Sequence, residues 1–249
     1  MQPSERRNWV LEKIQVEGKV EIDQLATELD VSPMTIRRDL DQLEEEGHVI
    51  RIHGGAVGAK PLITETPFLT KESRYIEQKR FIANKALSLV QEGQTILLDS
   101  GTTTLELAKL LKGKSNLTII TNDIKIAAEL VDSKLKVIVT GGELQNDVGA
   151  LFGPQTHSFL KQIHVDLFFL GAHAIDMEAG ITSPAFEKSL VKQLMIRAAE
   201  STWLIADSSK INERAFSKVC DLKDLTGFIT DDNLSDKARN TLQDIIEIL

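Results

Sequence analysis

The chain has 249 residues, 42% of them hydrophobic, with a formal net charge of −8 and one cysteine, Cys220. That length and apolar content support a buried core and one or two domains. The acidic balance argues against indiscriminate binding to polyanions, and a lone cysteine rules out an internal disulfide framework and suits a reducing cytoplasm. The longest apolar runs are strand-sized, so no membrane span is expected, and no stretch reads as a signal peptide.

Taken in chain order, residues 5–17 read as a helix with Val10, Leu11 and Ile14 on its apolar stripe. Residues 20–22 are a short extended piece, and residues 23–29 a second helix with Leu25, Ala26 and Leu29 inward. Asp30-Val31 turns the chain into a third helix. Ser32 is suited to cap it and Pro33 to occupy its first position, with Gly47 as the stop. Ile36, Leu40 and Leu43 recur at i, i+4, i+7 and share one buried face. Met34 and Arg38 then lie opposite that face, flanked by Thr35 and Arg37. A helix carrying Arg and Thr outward in its first turns can enter a major groove and reach base edges and phosphates. The following Arg51-Ile52-His53-Gly54-Gly55-Ala56 reads as a β-wing. Ser32, Met34, Thr35, Arg37, Arg38, Arg51 and His53 are therefore the candidate contacts to double-stranded operator DNA. Residues 1–56 carry seven Lys/Arg against twelve Asp/Glu, so the cations must be gathered on one face.

Three features together are more specific than a generic helix-turn-helix: Thr35-Ile36-Arg37-Arg38-Asp39-Leu40, Leu43-Glu44 and His53-Gly54-Gly55-Ala56. On these residues, the segment 5–56 resembles the DNA-binding domain of the DeoR family of bacterial sugar-catabolism regulators.

Residues 58–70 hold Gly58, Pro61 and Pro67 without a periodic apolar face and read as a linker between a DNA-binding domain, 1–57, and a second domain, 71–249. A long amphipathic helix is expected over 71–90, with Arg74, Lys79 and Arg80 on a solvated face. Beyond it, apolar runs at 95–98, 117–120, 137–139, 167–170, 203–206 and 228–230 alternate with helical patterns at 104–111, 124–130, 156–161, 186–199 and 235–242. Residues 245–249 add an edge strand. The fold class is thus an α/β domain with a mostly parallel sheet, preceded by a small winged helix-turn-helix domain.

In such sheets ligands bind beyond the carboxyl ends of the strands. Here those ends are small and polar: Asp99, Ser100, Gly101, Thr102, Thr103 and Thr104; Thr121 and Asn122; Gly141 and Gly142; Gly171 with His173; and Asp207 with Lys210. A serine-threonine loop opening a helix offers backbone N–H groups and hydroxyls to a phosphate, Asp99 can accept from sugar hydroxyls, and Lys210 supplies a cation. The Walker lysine and the Gly-x-Gly-x-x-Gly pattern are absent, which disfavours those nucleotide sites. His157 and His164 stand seven apart with no third ligand at suitable spacing, so no metal and no cofactor is expected.

The resemblance extends through Asp99-Ser100-Gly101-Thr102-Thr103, Thr121-Asn122, Gly141-Gly142, Phe169-Leu170-Gly171-Ala172, Gly180-Ile181-Thr182, Val191-Lys192 and Ala206-Asp207-Ser208-Ser209-Lys210. These stand where the DeoR effector domain has similar motifs, and that domain is similar to ribose-phosphate isomerase and glucosamine-phosphate deaminase folds. His173-Ala174 departs from the small or amide residue and glycine that often follow in the family, a change at the sugar end of the pocket. The resemblance implies a repressor of a carbohydrate operon, acting as a homodimer or homotetramer and released from DNA by a phosphorylated sugar. Two other classes fit the same residues. One is an isomerase or deaminase fused to a DNA-binding module, with Asp99, Glu187, Asp207 and Lys210 as the acid–base groups, which turnover of a sugar phosphate would reveal. The other is an activator or corepressor-dependent regulator, which reporter loss on deletion would reveal.

Overall fold

The computed structural model describes all residues except 1, 47, 59–61 and 64, and the side chain of residue 15. It divides into two compact units, residues 1–64 and 65–249.

The first unit runs α1 (Pro3–Glu17), β1 (Lys19–Glu21), α2 (Ile22–Glu28), α3 (Pro33–Glu45), β2 (Val49–Ile52) and β3 (Gly55–Gly58). Val10, Ile14, Leu25, Ile36, Leu40 and Leu43 meet in one small core. Ser32 caps α3 by accepting a hydrogen bond from the Thr35 backbone N–H at 3.1 Å. The expected helix stop, Gly47, lies outside the described residues. The wing is wider than a hairpin: β3 pairs antiparallel with both β2 and β1, in the order β1-β3-β2. Its glycines have separate reasons. Gly54 turns the hairpin with φ +80°, and a Cβ on Gly55 would lie 1.9 Å from the Val20 carbonyl oxygen across the β1–β3 pair.

The second unit opens with α4 (Phe68–Ser73) and α5 (Ile76–Leu87), followed by β4 (Thr95–Leu98), α6 (Thr102–Leu111), β5 (Thr118–Thr121), α7 (Ile124–Glu129) and β6 (Lys136–Val139). A hairpin, β7 (Glu143–Gln145) and β8 (Ala150–Phe152), leads to α8 (Pro154–Leu160) and β9 (Val165–Gly171). Then come β10 (Ala174–Asp176), β11 (Gly180–Ser183), α9 (Phe186–Ala198), β12 (Ala199–Ile205), β13 (Ser217–Cys220), β14 (Gly227–Ile229), α10 (Asp236–Gln243) and β15 (Glu247–Ile248).

Seven strands form one parallel sheet in the order β15-β14-β12-β9-β4-β5-β6. Alternation along each strand feeds two cores. Ile96, Leu98, Leu167 and Phe169 pack with α5, α6 and α7 on one face. Leu97, Phe168 and Leu170 pack on the other with Leu160 of α8, Val191 and Met195 of α9 and Leu242 of α10. β10, β11 and β13 form a separate antiparallel sheet, which the apolar runs did not predict.

Three expectations are corrected here. The helix expected over 71–90 is broken: Arg74 is extended and Tyr75 takes a left-handed φ of 54° before α5 starts. Lys79, expected in solvent, is buried; its ammonium donates to the Lys71 carbonyl and, at 2.5 Å, to the Arg74 carbonyl. Those are the carbonyls left unpaired where α4 ends. The 58–70 stretch is likewise more than a connector. Gly58 ends a strand, Phe68 is buried, and Glu65 is held by Lys71 and Lys188. Residues 59–61 and 64 of that stretch lie outside the described residues.

Candidate functional site

The outward face of α3 is built as its spacing requires. Ile36, Leu40 and Leu43 are buried, while Met34, Arg37 and Arg38 are exposed and Thr35 is partly so. His53 is exposed at the tip of the β2–β3 turn. Arg51 is differently employed. Its guanidinium pairs with Asp41 and donates to the Arg37 carbonyl at 3.3 Å and the Gly55 carbonyl at 3.3 Å, so it ties the wing to α3. The Ser32 hydroxyl also contacts the Thr35 hydroxyl at 2.9 Å. Asp39, inside the Thr35–Leu40 run, is buried against Arg6. One face of the helix thus carries Met34, Thr35, Arg37 and Arg38, and internal bonds orient it.

In the second unit the sheet order reverses between β4 and β9, the kind of switch point beside which open α/β sheets bind ligands. Asp99 lies at that point, 2% exposed. Its Oδ2 accepts the Gly171 N–H at 3.0 Å and pairs with Lys192 of α9, whose ammonium also donates to the Gly171 carbonyl at 2.9 Å. Asp99 therefore clasps the two strand ends and holds Lys192 in place.

The following loop ends in α6. Thr104 donates its hydroxyl to the Gly101 carbonyl at 2.8 Å, and the N-cap position, Gly101, has no side chain to cap the helix start. Thr102 and Thr103 each keep a sliver of exposure there. The Ser100 hydroxyl donates to Asp123 at 2.9 Å, and burial raises the Asp123 pKa against the bonds that favour its charge. Thr121 bonds the Leu98 carbonyl, and Asn122 donates to the Leu151 carbonyl while its Oδ1, fully enclosed, has no partner among the described residues. Gly141 and Gly142 both have positive φ. A Cβ on Gly142 would meet the Phe152 carbonyl oxygen at 2.1 Å, and the Gly141 carbonyl accepts from Thr156 at 2.5 Å. These four residues, Thr121, Asn122, Gly141 and Gly142, lock the rim of the sheet.

At the ends of β12 and β14, Asp207 accepts from Ser209, and Asp231 accepts the Ser208 N–H at 2.7 Å and its hydroxyl at 3.0 Å. A cavity of about 320 Å³ opens beside them, lined in part by Tyr75, Asp207, Ser209 and Asp231.

The structure adds cations that spacing alone did not mark. Burial pushes Lys188 down to about 8, with Glu65 opposing and Lys71 and Lys192 reinforcing the shift. Lys79 is also pushed down to about 8 by burial, against the pull of Asp207 and with help from Lys210. His173 is held at about 4, first by burial, with Glu65 opposing and Lys71, Lys210 and Lys188 adding to the shift. Lys71, Lys79, Lys188, Lys192, Lys210 and His173 thus lie in a chain of mutual influence with Glu65, Asp99, Glu106 and Asp207. The sequence signal for Lys188 and Lys192 was available in retrospect: two lysines at i, i+4 on a helix whose Val191 faces a core. Among the described residues, no group of three or more His, Cys, Asp or Glu is placed to hold a metal ion, and no helix is long and apolar enough to cross a membrane.

Residues 6–61 match the DeoR-like helix-turn-helix domain and residues 74–232 the DeoR C terminal sensor domain. The chain belongs to the DeoR family. Like other DeoR-family members it is a DNA-binding transcriptional regulator rather than an enzyme. It is 36% identical to the HTH-type transcriptional regulator GlpR of Haloferax volcanii, covering 98% of this chain and 95% of that one. It is 32% identical to a putative aga operon transcriptional repressor of Escherichia coli O157:H7 (93% and 87% covered) and to a lactose phosphotransferase system repressor of Staphylococcus epidermidis (100% of each). Among solved structures, it is similar to ribose 5-phosphate isomerase A of Methanocaldococcus jannaschii at 15% identity and a TM-score of 0.42, over 55% of this chain and 54% of that one.

Proposed function

We propose that this DeoR-family regulator represses a carbohydrate-utilisation operon and is released from its operator by a phosphorylated sugar. The observation that supports the reading is the gathering of three buried lysines, Lys79, Lys188 and Lys192, with the partly buried Lys71 and Lys210 on the side of the sheet where Asp99 and Asp207 end their strands. Burying ammonium groups is unfavourable unless anions join them, and a phosphate dianion entering beside these lysines would offset that cost.

In this reading the phosphate meets the Ser100-Gly101-Thr102-Thr103 loop, with Lys210 and Lys188 as cations. The sugar hydroxyls face Asp207 and His173, and Asp99 acts through Lys192 instead of touching ligand. Met34, Thr35, Arg37, Arg38 and His53 meet the operator, with Ser32 and Arg51 orienting them. A homodimer or homotetramer in the cytoplasm would set two recognition helices on paired half-sites. Effector binding must favour a state of lower DNA affinity, with a coupling of about 1–3 kcal/mol. The names of the aga and lactose repressors support the same class of operon.

The test is fluorescence anisotropy of the full chain on the DNA upstream of its own gene, challenged with triose, pentose and hexose phosphates. Release by one compound and not by its unphosphorylated parent supports the reading. Tight operator binding that no sugar phosphate alters rejects the effector class.

A further inference from the structure

Glu65 is the first residue of the second unit, directly after the DNA-binding unit. A carboxylate at the foot of a connector is ordinarily solvated, yet this side chain is only 19% exposed. Its two oxygens are divided between two lysines: Oε1 accepts from Lys71 at 2.9 Å and Oε2 from Lys188 at 2.5 Å. Lys71 belongs to its own segment, on α4. Lys188 belongs to α9, one turn before Lys192, which reaches the clasp at Asp99 and Gly171. Glu65 therefore ties the start of the second unit to α9, the helix that carries both Lys188 and Lys192. A second anchor lies three residues on. Phe68 is buried, its N–H donates to the Asp147 carbonyl at 3.2 Å, and the Lys125 ammonium stands 3.7 Å from its ring centre.

We infer that Glu65 is a built-in counter-ion of the effector site, which an entering phosphate displaces from Lys188, freeing the segment that leads to the DNA-binding unit. This rests on the reading of the crevice as a phosphorylated-sugar site. The chemistry favours exchange in one direction. A phosphate dianion brings more charge and more acceptor oxygens to Lys188 than one carboxylate oxygen does, whereas a neutral sugar offers no charge to replace it. Phe68 stays seated, so the segment is released only at its first residues, on the side toward the DNA-binding unit. An effector then needs an anionic group to act, and its differential contact is the lysine that Glu65 vacates.

The inference is tested by hydrogen–deuterium exchange on the full chain, following peptides that cover 65–73, with inorganic phosphate and the sugar-phosphate panel as probes and chloride at matched ionic strength as control. In the wild type, phosphate but not chloride should raise exchange over 65–73. In Glu65→Gln that exchange should already be raised and should not respond further, and phosphate should bind about tenfold more tightly because its internal competitor is gone. Glu65→Asp, which keeps the charge but not the reach to both lysines, should fall between the two and serves if Glu65→Gln does not fold.

Unchanged exchange in unliganded Glu65→Gln, or weaker phosphate binding by it, overturns the inference. Operator release by a sugar phosphate with no change over 65–73 overturns it while leaving the effector reading intact. Failure of phosphate and of every sugar phosphate to bind either protein removes both.

Discussion

Arg6 and Asp39 form a two-point ion pair between the first helix and the recognition helix, with Nε to Oδ2 at 2.5 Å and Nη2 to Oδ1 at 3.2 Å. Asp39 follows the exposed Arg37 and Arg38 in the Thr35–Leu40 run, yet it is only 4% exposed. The pair stops α3 from rolling and so sets where Arg37 and Arg38 point. Asp39→Ala should lower stability by about 2 kcal/mol, the usual loss for a hydrogen bond to a charged group. Arg6→Met combined with Asp39→Leu should lose less than the two single losses added together. Urea unfolding of the full chain followed at Trp9 measures this, and strict additivity would reject the coupling.

Arg38 and Arg51 should separate by mechanism. Arg38→Ala removes an exposed cation opposite the buried face. It should weaken operator binding by about 1–3 kcal/mol and leave the melting temperature unchanged. Arg51→Ala removes the bonds to Asp41, Arg37 and Gly55, so it should reduce both affinity and thermal stability. Anisotropy and thermal melts on the same samples distinguish them.

The two wing glycines should also respond differently. An added Cβ at Gly55 collides with the Val20 carbonyl at 1.9 Å, so Gly55→Ala should part β1 from β3 and abolish operator binding. At Gly54 a Cβ meets open space, and the cost is only that of φ +80°, about 1 kcal/mol. Gly54→Ala should therefore keep measurable affinity in a gel-shift titration.

At the crevice, Thr103→Glu places a carboxylate where a phosphate is proposed to bind. Operator affinity should be retained and release by sugar phosphate lost. Normal induction of that variant would remove the phosphate from the α6 loop. Lys192→Met instead leaves Asp99 charged and enclosed, and should destabilise the second unit by about 3–5 kcal/mol. Thermal unfolding read at Trp203 reports it.

Acid should act in two windows. His173 is held at about 4, below its ordinary 6.5, because burial disfavours the imidazolium. Its contribution to stability is complete above pH 6.5 and falls away from there down to about pH 4. At most about 3 kcal/mol is involved, since one pKa unit corresponds to about 1.36 kcal/mol. For Glu65, burial opposes ionisation, but the charges of Lys188 and Lys71 overcome it and hold the carboxyl at about 2 against an ordinary 4.5. Its contribution is present above pH 4.5 and lost from there toward pH 2. Stability measured against pH in His173→Gln should therefore lose the His173 part of the slope between pH 6.5 and about 4.5 and still fall below that. An unchanged upper slope would place that titration on another group.

The local pattern of this chain was sufficient for its recognition helix and its parallel sheet, but not for the antiparallel sheet of β10, β11 and β13. The recognition helix, its Ser32 cap and the two-glycine wing follow from an i, i+4, i+7 stripe and from residues whose backbone demands are short-range. The parallel sheet follows from apolar runs alternating with helices, and its strand-end polar loops mark one side of it. Sequence alone did not break the expected helix at Tyr75, because the break depends on Lys79 reaching back to the carbonyls of Lys71 and Arg74. Nor did it show that Arg51 is spent on Asp41, that Asp99 is enclosed by Lys192, or that Glu65 meets Lys188 123 positions away. Charged side chains carry no periodicity that names their partners. Only the packing that excludes water from them decides which pairs form, and that packing is a property of the whole fold.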